Sequence, residues 1–235
     1  MEIQPKVGAI TLHLEKTDLA EQTYRILRDW IMKRQFKPGD KISAEEMAEK
    51  FGVSRTPVIV ALQRLANEGL VEIIPQRGTF VTALTQRDVA ELFEIRLMIE
   101  LYAADQALAT GRVSQFLDDA RKPMARMKQA MSDGDYGDYD EFINADQDLH
   151  MALVFLTGNQ RLIRLYQDLH VHIHVARAHY IDSVEKARQA CVEHDAIADA
   201  FRNGQPDHVR RALASHIGTV KERILEILKQ PGEKL

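Results

Sequence analysis

The chain has 235 residues, 45% of them hydrophobic and 28% charged, which suits one or two globular domains with a buried core and excludes a disordered or fibrous chain. A single cysteine, Cys191, excludes an internal disulfide framework and fits a reducing compartment. The formal charge is −4, yet the first 82 residues carry 12 Lys and Arg against 11 Asp and Glu, so charge neither advertises nor excludes a nucleic-acid partner. No run of about 18 apolar residues marks a membrane span. The first residues lack the apolar core of a signal peptide, and the cytoplasm is the expected location.

In chain order, Asp18 with Glu21 has the spacing of a helix-opening capping box, followed by a stripe of Leu19, Thr23, Leu27 and Trp30–Ile31. Lys37-Pro38-Gly39-Asp40 ends that segment as a turn. Ser43 with Glu46 opens a short second helix, which presents Met47, Ala48 and Phe51 on one face and stops at Gly52. Ser54 is expected to cap a third helix running to about Glu68. Two β-rich segments follow, around Leu70–Ile74 and Thr79–Thr82, with Pro75-Gln76-Arg77-Gly78 at the tip. Three helices and a β-hairpin in this order predict a winged helix-turn-helix over residues 12–82.

Helical spacing turns Val58, Ala61, Leu62 and Leu65 inward and leaves Arg55, Thr56, Ile59, Val60 and Gln63 outside, near the start of the third helix. Those are the groove-facing positions of a helix-turn-helix. Arg55 suits a guanine edge or a phosphate, and Arg77 with Gly78 suits a backbone or minor-groove approach; a small protein-binding domain with Arg55 in a surface ion pair is the plainer reading. The expected DNA-contacting set is Ser54, Arg55, Thr56, Gln63, Arg64, Arg77 and Gly78.

After a linker at 83–87, the pattern is helical to the end. Segments of about 88–109, 113–132, 138–157, 160–181, 184–203 and 206–229 predict an antiparallel helical bundle over residues 88–230. The fold class is mainly α. Thr85 with Asp88 forms another capping-box pattern.

Polar residues inside apolar stripes carry the chemistry of this second domain. Asp146 and His150 share the face of Phe142, Ile143, Leu149 and Leu153. His194 interrupts the stripe of Ala187, Cys191, Ile197, Ala198 and Phe201. His216 interrupts the stripe of Leu213, Ile217, Val220 and Ile224. Burying an ionised carboxylate without a partner is very costly, and three imidazoles with one carboxylate satisfy one another around a divalent metal ion. That ligand set suits zinc first, and also nickel, manganese or iron. Local hydrogen bonds and satisfied core histidines are the plainer reading of the same residues. His170, His172 and His174 scatter around their helix and read as solvated or interfacial. The first bundle helix is apolar over a wide arc, from Leu92 through Tyr102, which one core cannot hide, and a homodimer is expected.

The run Phe51-Gly52-Val53-Ser54-Arg55-Thr56-Pro57-Val58, with Ala61–Leu65, Glu68–Val71 and Arg77–Val81, resembles the GntR family of bacterial transcription regulators. The resemblance implies DNA contacts at Arg55, Thr56 and Gly78. The chain departs from the family pattern at Ile59-Val60, where Arg-Glu is usual, and at Ala44, where Glu is usual. Val89–Ala107, with Asp146, His150, His194 and His216 in order, resembles the FCD domain of the FadR branch, in its VanR-type subgroup of six helices. That resemblance implies a metal-containing cavity for a small carboxylate, with Arg96 as a pocket arginine; an i,i+4 ion pair with Glu100 is the other role open to Arg96. The expectation is a transcription regulator, not an enzyme. Operator DNA with pseudo-palindromic halves would be bound by a dimer, and release of DNA by a small organic acid is the commoner family behaviour. The alternatives are a hydrolase-type metalloenzyme with an accessory winged helix and a regulator that senses the metal itself.

Overall fold

A computed structural model describes residues 19–33, 35–131, 139–178 and 184–229. The expected cap at Asp18 lies outside these residues, as do the side chains of His170, His172 and His174.

The first unit begins with α1 (Leu19–Met32), β1 (Lys41–Ile42), α2 (Ala44–Phe51) and α3 (Arg55–Asn67), and closes with β2 (Val71–Ile74) and β3 (Gly78–Val81). Ser43 caps α2 by accepting from the Glu46 N–H, and Gly52 ends it at φ 65, a left-handed turn that favours glycine. Ser54 differs from expectation. It precedes α3 in extended conformation, but its hydroxyl makes no capping hydrogen bond and stays exposed. The three strands form an antiparallel sheet in the order β1-β3-β2, with Val71 opposite Val81 and Ile74 opposite Gly78. β1 is an addition to the sequence reading. Its two residues pair with Thr79 and Phe80, and that long-range pairing alone makes them a strand. Leu27, Val58, Leu62, Leu65 and Leu70 form the centre of a core that belongs to this unit alone.

The second unit is α4 (Gln86–Ala109), α5 (Val113–Ala130), α6 (Tyr139–Phe155), α7 (Gln160–Ala178), α8 (Val184–Arg202) and α9 (Pro206–Leu228). Thr85 and Asp88 make the full reciprocal capping box at the head of α4. α4 runs through the middle, packed on α6, α7 and α9, while α5 lies against α6 and α8. A separate core, with Phe93, Phe116, Phe142, Phe201 and Ile217 at its centre, holds the bundle. Among the described residues no helix is long and apolar enough to cross a membrane.

Candidate metal centre and DNA-facing surface

Asp146, His150, His194 and His216 are all buried, with exposures of 0–3%. One ligand atom from each lies within 4.8 Å of every other. His194 Nε2 is 3.2 Å from His216 Nε2 and 3.2 Å from Asp146 Oδ1, and His150 Nε2 is 3.8 Å from Asp146 Oδ2. Donors about 2.0–2.1 Å from one ion stand about 3.3 Å apart in a tetrahedron, so the spacing fits a common cation. Three different helices supply the set: α6 twice through its i,i+4 face, α8 and α9 once each.

Two further carboxylates set which nitrogen of each ring faces inward. Glu100 Oε2 lies 2.8 Å from His150 Nδ1, and Glu193 Oε2 lies 2.8 Å from His216 Nδ1. A carboxylate only accepts, so both Nδ1 atoms donate and both Nε2 atoms keep a lone pair directed at the centre. His150 Nε2 is buried and has no hydrogen-bond partner among the described residues. Burial, with Arg96 nearby, lowers the His150 pKa against the pull of Glu100 and favours the neutral ring a metal requires. Sequence reasoning missed both carboxylates in this role. The signal for Glu100 was present as an acid on the buried stripe of α4; Glu193, beside His194, carried none.

Glu100 is the hub of a larger buried network. It accepts from Arg96 Nε at 2.7 Å, from the Tyr166 hydroxyl at 2.5 Å and from His150. Burial works to raise its carboxyl pKa, but His150 and Arg96 outweigh that and hold it well below the usual carboxylate range. Arg96 is fully buried and takes the ion-pair role with Glu100 through Nε only. Among the described residues its Nη1 and Nη2 find no hydrogen-bond partner, which leaves two parallel donors one carboxylate away from the Asp and His cluster.

In the first unit, Arg55, Thr56 and Gln63 are exposed on α3, with Ile59 and Val60 between them at 45% and 47% exposure. Arg55 Nη1 meets Glu45 Oε1 of α2 at 2.9 Å. Arg64 behaves differently. Its guanidinium stacks 3.7 Å from the Tyr24 ring centroid and pairs with Glu21 and Glu68, so it ties α3 back to α1. Arg77 is exposed at the hairpin tip, over the Phe80 ring at 5.9 Å. Gly78 has φ 117, and a Cβ there would lie 2.7 Å from Lys41 Cε. The backbone conformation favours glycine here, while the Lys41 side chain is flexible enough to move aside.

Comparison with known proteins agrees with both units. Residues 19–81 match the family described as bacterial regulatory proteins, gntR family, and residues 91–219 match the FCD domain. The HTH-type transcriptional repressor RspR of Escherichia coli is 28% identical over 213 residues, covering 91% of this chain and 92% of the relative. The HTH-type transcriptional regulator YdhC of Bacillus subtilis is 26% identical over 212 residues, covering 90% of this chain and 93% of the relative. A solved GntR regulator from a Rhodococcus species superposes with a TM-score of 0.69 at 25% identity, over 89% of this chain and 99% of that one. These relatives are transcriptional regulators rather than enzymes, which removes the metalloenzyme alternative. The chain belongs to the gntR family of bacterial regulatory proteins, with an FCD domain behind its winged helix, and is a DNA-binding transcriptional regulator.

Proposed function

We propose that the protein is an operator-binding repressor whose affinity for DNA is controlled by a small organic acid held at a divalent metal centre. The observation that carries this reading is the convergence of Asp146, His150, His194 and His216 beside an arginine with two free buried donors. The three nitrogens and one oxygen are borderline ligands that suit zinc, nickel, manganese or iron. When bound, the ion would supply positive charge and, by expanding beyond its four protein donors, would accept an anionic oxygen. Arg96 contributes the two Nη donors, which match the bidentate geometry of a carboxylate. Glu100 fixes Arg96 and His150 together, so the acid-binding and metal-binding residues share one support.

The DNA-binding head is assigned to 12–82, the linker to 83–87 and the sensing domain to 88–230, in line with the two separate cores. Ser54 ahead of α3, Arg55, Thr56 and Gln63 of α3, and Arg77 and Gly78 of the wing form the DNA-contacting set; Arg64 braces α1 against α3. The protein acts as a homodimer through α4, where Ile95, Met98 and Tyr102 stay 37%, 64% and 48% exposed along one helix. Two heads related by a twofold axis then read a pseudo-palindromic operator. The acid acts by binding one placement of the heads more tightly than another.

A mobility-shift assay on genomic fragments, with and without a chelator and across a panel of small carboxylates, tests this reading. The expected result is a retarded fragment released by one acid only while the metal is present. Release by metal ions alone, without any acid, would assign the site to metal sensing instead.

A further inference from the structure

Glu45 is an acid beside the groove-facing end of α3, and its place in the first turn of α2 suits the helix dipole without explaining why it meets Arg55. It is the second residue of α2, and its carboxylate faces the first residue of α3, Arg55, with Oε1 2.9 Å from Nη1. The Ser43 hydroxyl lies 3.3 Å from Oε2 and steadies the carboxylate from the other side. Both partners of the pair remain open to solvent, at 65% and 57% side-chain exposure, and Glu45 borders the groove that runs from α2 to the wing tip with Lys41, Arg77 and Gly78. A hydrogen bond from the α2 backbone and the Arg55 charge lower the Glu45 pKa, so the carboxylate is ionised at neutral pH.

We propose that Glu45 is a specificity-determining residue of the DNA-binding head, occupying Arg55 in the free protein so that an arbitrary phosphate does not capture it. The proposal rests on the reading that the start of α3 faces DNA. A phosphate from any duplex must displace Glu45 and then bear its charge nearby, whereas a base edge that accepts from Arg55 bidentately compensates for the broken pair. The carboxylate therefore weakens random contacts more than correct ones. Ile59 and Val60 sharpen the effect, because they leave Arg55 as the only cationic side chain on the exposed face of the first two turns of α3.

Glu46 is the internal control. It occupies the same first turn of α2 and complements the helix dipole as Glu45 does, but Arg55 pairs with Glu45. The test is fluorescence anisotropy of the full chain on a random-sequence duplex and on a duplex selected from a random pool by the wild-type protein, over a salt series. Glu45→Gln is expected to bind the random duplex about three- to fivefold more tightly at low salt. Its salt slope should steepen by about 0.9. The gain on the selected duplex should be smaller, so the specificity ratio falls, and it should shrink in an Arg55→Ala background. Glu46→Gln is expected to bind as the wild type does. Equal effects of Glu45→Gln and Glu46→Gln, or no tightening by Glu45→Gln, would overturn the proposal. Loss of all DNA dependence on Arg55 would instead refute the assignment of the α3 face, which separates the two failures.

Discussion

Replacing Glu100 by alanine strands the Arg96 guanidinium inside the helical domain. Both side chains are 0% exposed, and among the described residues Glu100 is the one carboxylate that meets the charge of Arg96. Removing one member of a buried pair costs about 3–5 kcal/mol, because the other charge stays desolvated. At about 2–4 °C per kcal/mol for a chain of this size, the melting temperature should fall by about 6–20 °C. The charge-free pair Arg96→Met with Glu100→Leu removes both ions together and should cost far less, even though the Tyr166 hydroxyl and His150 Nδ1 lose their acceptor. Thermal melts followed by circular dichroism in the presence of chelator measure this without the metal's contribution. The helical signal is the right probe, since the single tryptophan, Trp30, lies in the DNA-binding head. If Glu100→Ala melts within about 1 kcal/mol of the wild type, or no lower than the double variant, the buried hub is not carrying the charge of Arg96.

Further outcomes follow from other parts of the chain. Arg55→Ala should weaken operator binding and relax its sequence preference while leaving metal content and melting temperature unchanged, whereas Arg64→Ala should destabilise the head by breaking its link to Tyr24 and Glu21. Anisotropy and the Trp30 unfolding transition separate the two. Burial pushes the Cys191 thiol from 9.0 up to about 11, so thiol reagents at pH 8 should react slowly with the folded protein and quickly with the unfolded one. Because the folded value is the higher one, this group's stabilising contribution is full below pH 9.0 and is lost as pH rises towards about 11. Met98→Glu places a charge in the centre of the exposed α4 stripe and should shift the protein towards monomer in sedimentation velocity, with weaker operator binding.

The convergence of Asp146, His150, His194 and His216 was legible because burial and polarity conflict in the sequence. Asp146 and His150 sit at i and i+4 among Phe142, Leu149 and Leu153, and a helix that buries those apolar residues must bury the polar pair with them. The same logic reached His194 and His216. Glu193 escaped it, because its contact with His216 arises only when α8 and α9 pack together, and no spacing within one helix encodes that. Glu100 was visible only as a local partner of Arg96, and its reach to His150 and Tyr166 again depends on helices far apart in sequence. In the head, the glycine stop at Gly52 and the buried face of α3 were readable from local chemistry. β1 was not, since two residues have no periodicity and become a strand only through β3. Ser54 had the identity and position of a cap without making the bond. Arg64 looked equivalent to Arg55 on the helix surface until Tyr24 and Glu21 of α1 appeared beside it.

Elemental analysis of the purified full-length protein after equilibration with zinc, beside Asp146→Ala and His194→Ala, reaches the metal-site proposal most directly. One equivalent of tightly held ion per wild-type chain is expected, with most of it lost from each variant while both still bind DNA. A wild-type chain that retains no ion, or variants that hold as much as the wild type, would contradict a metal centre at these four side chains.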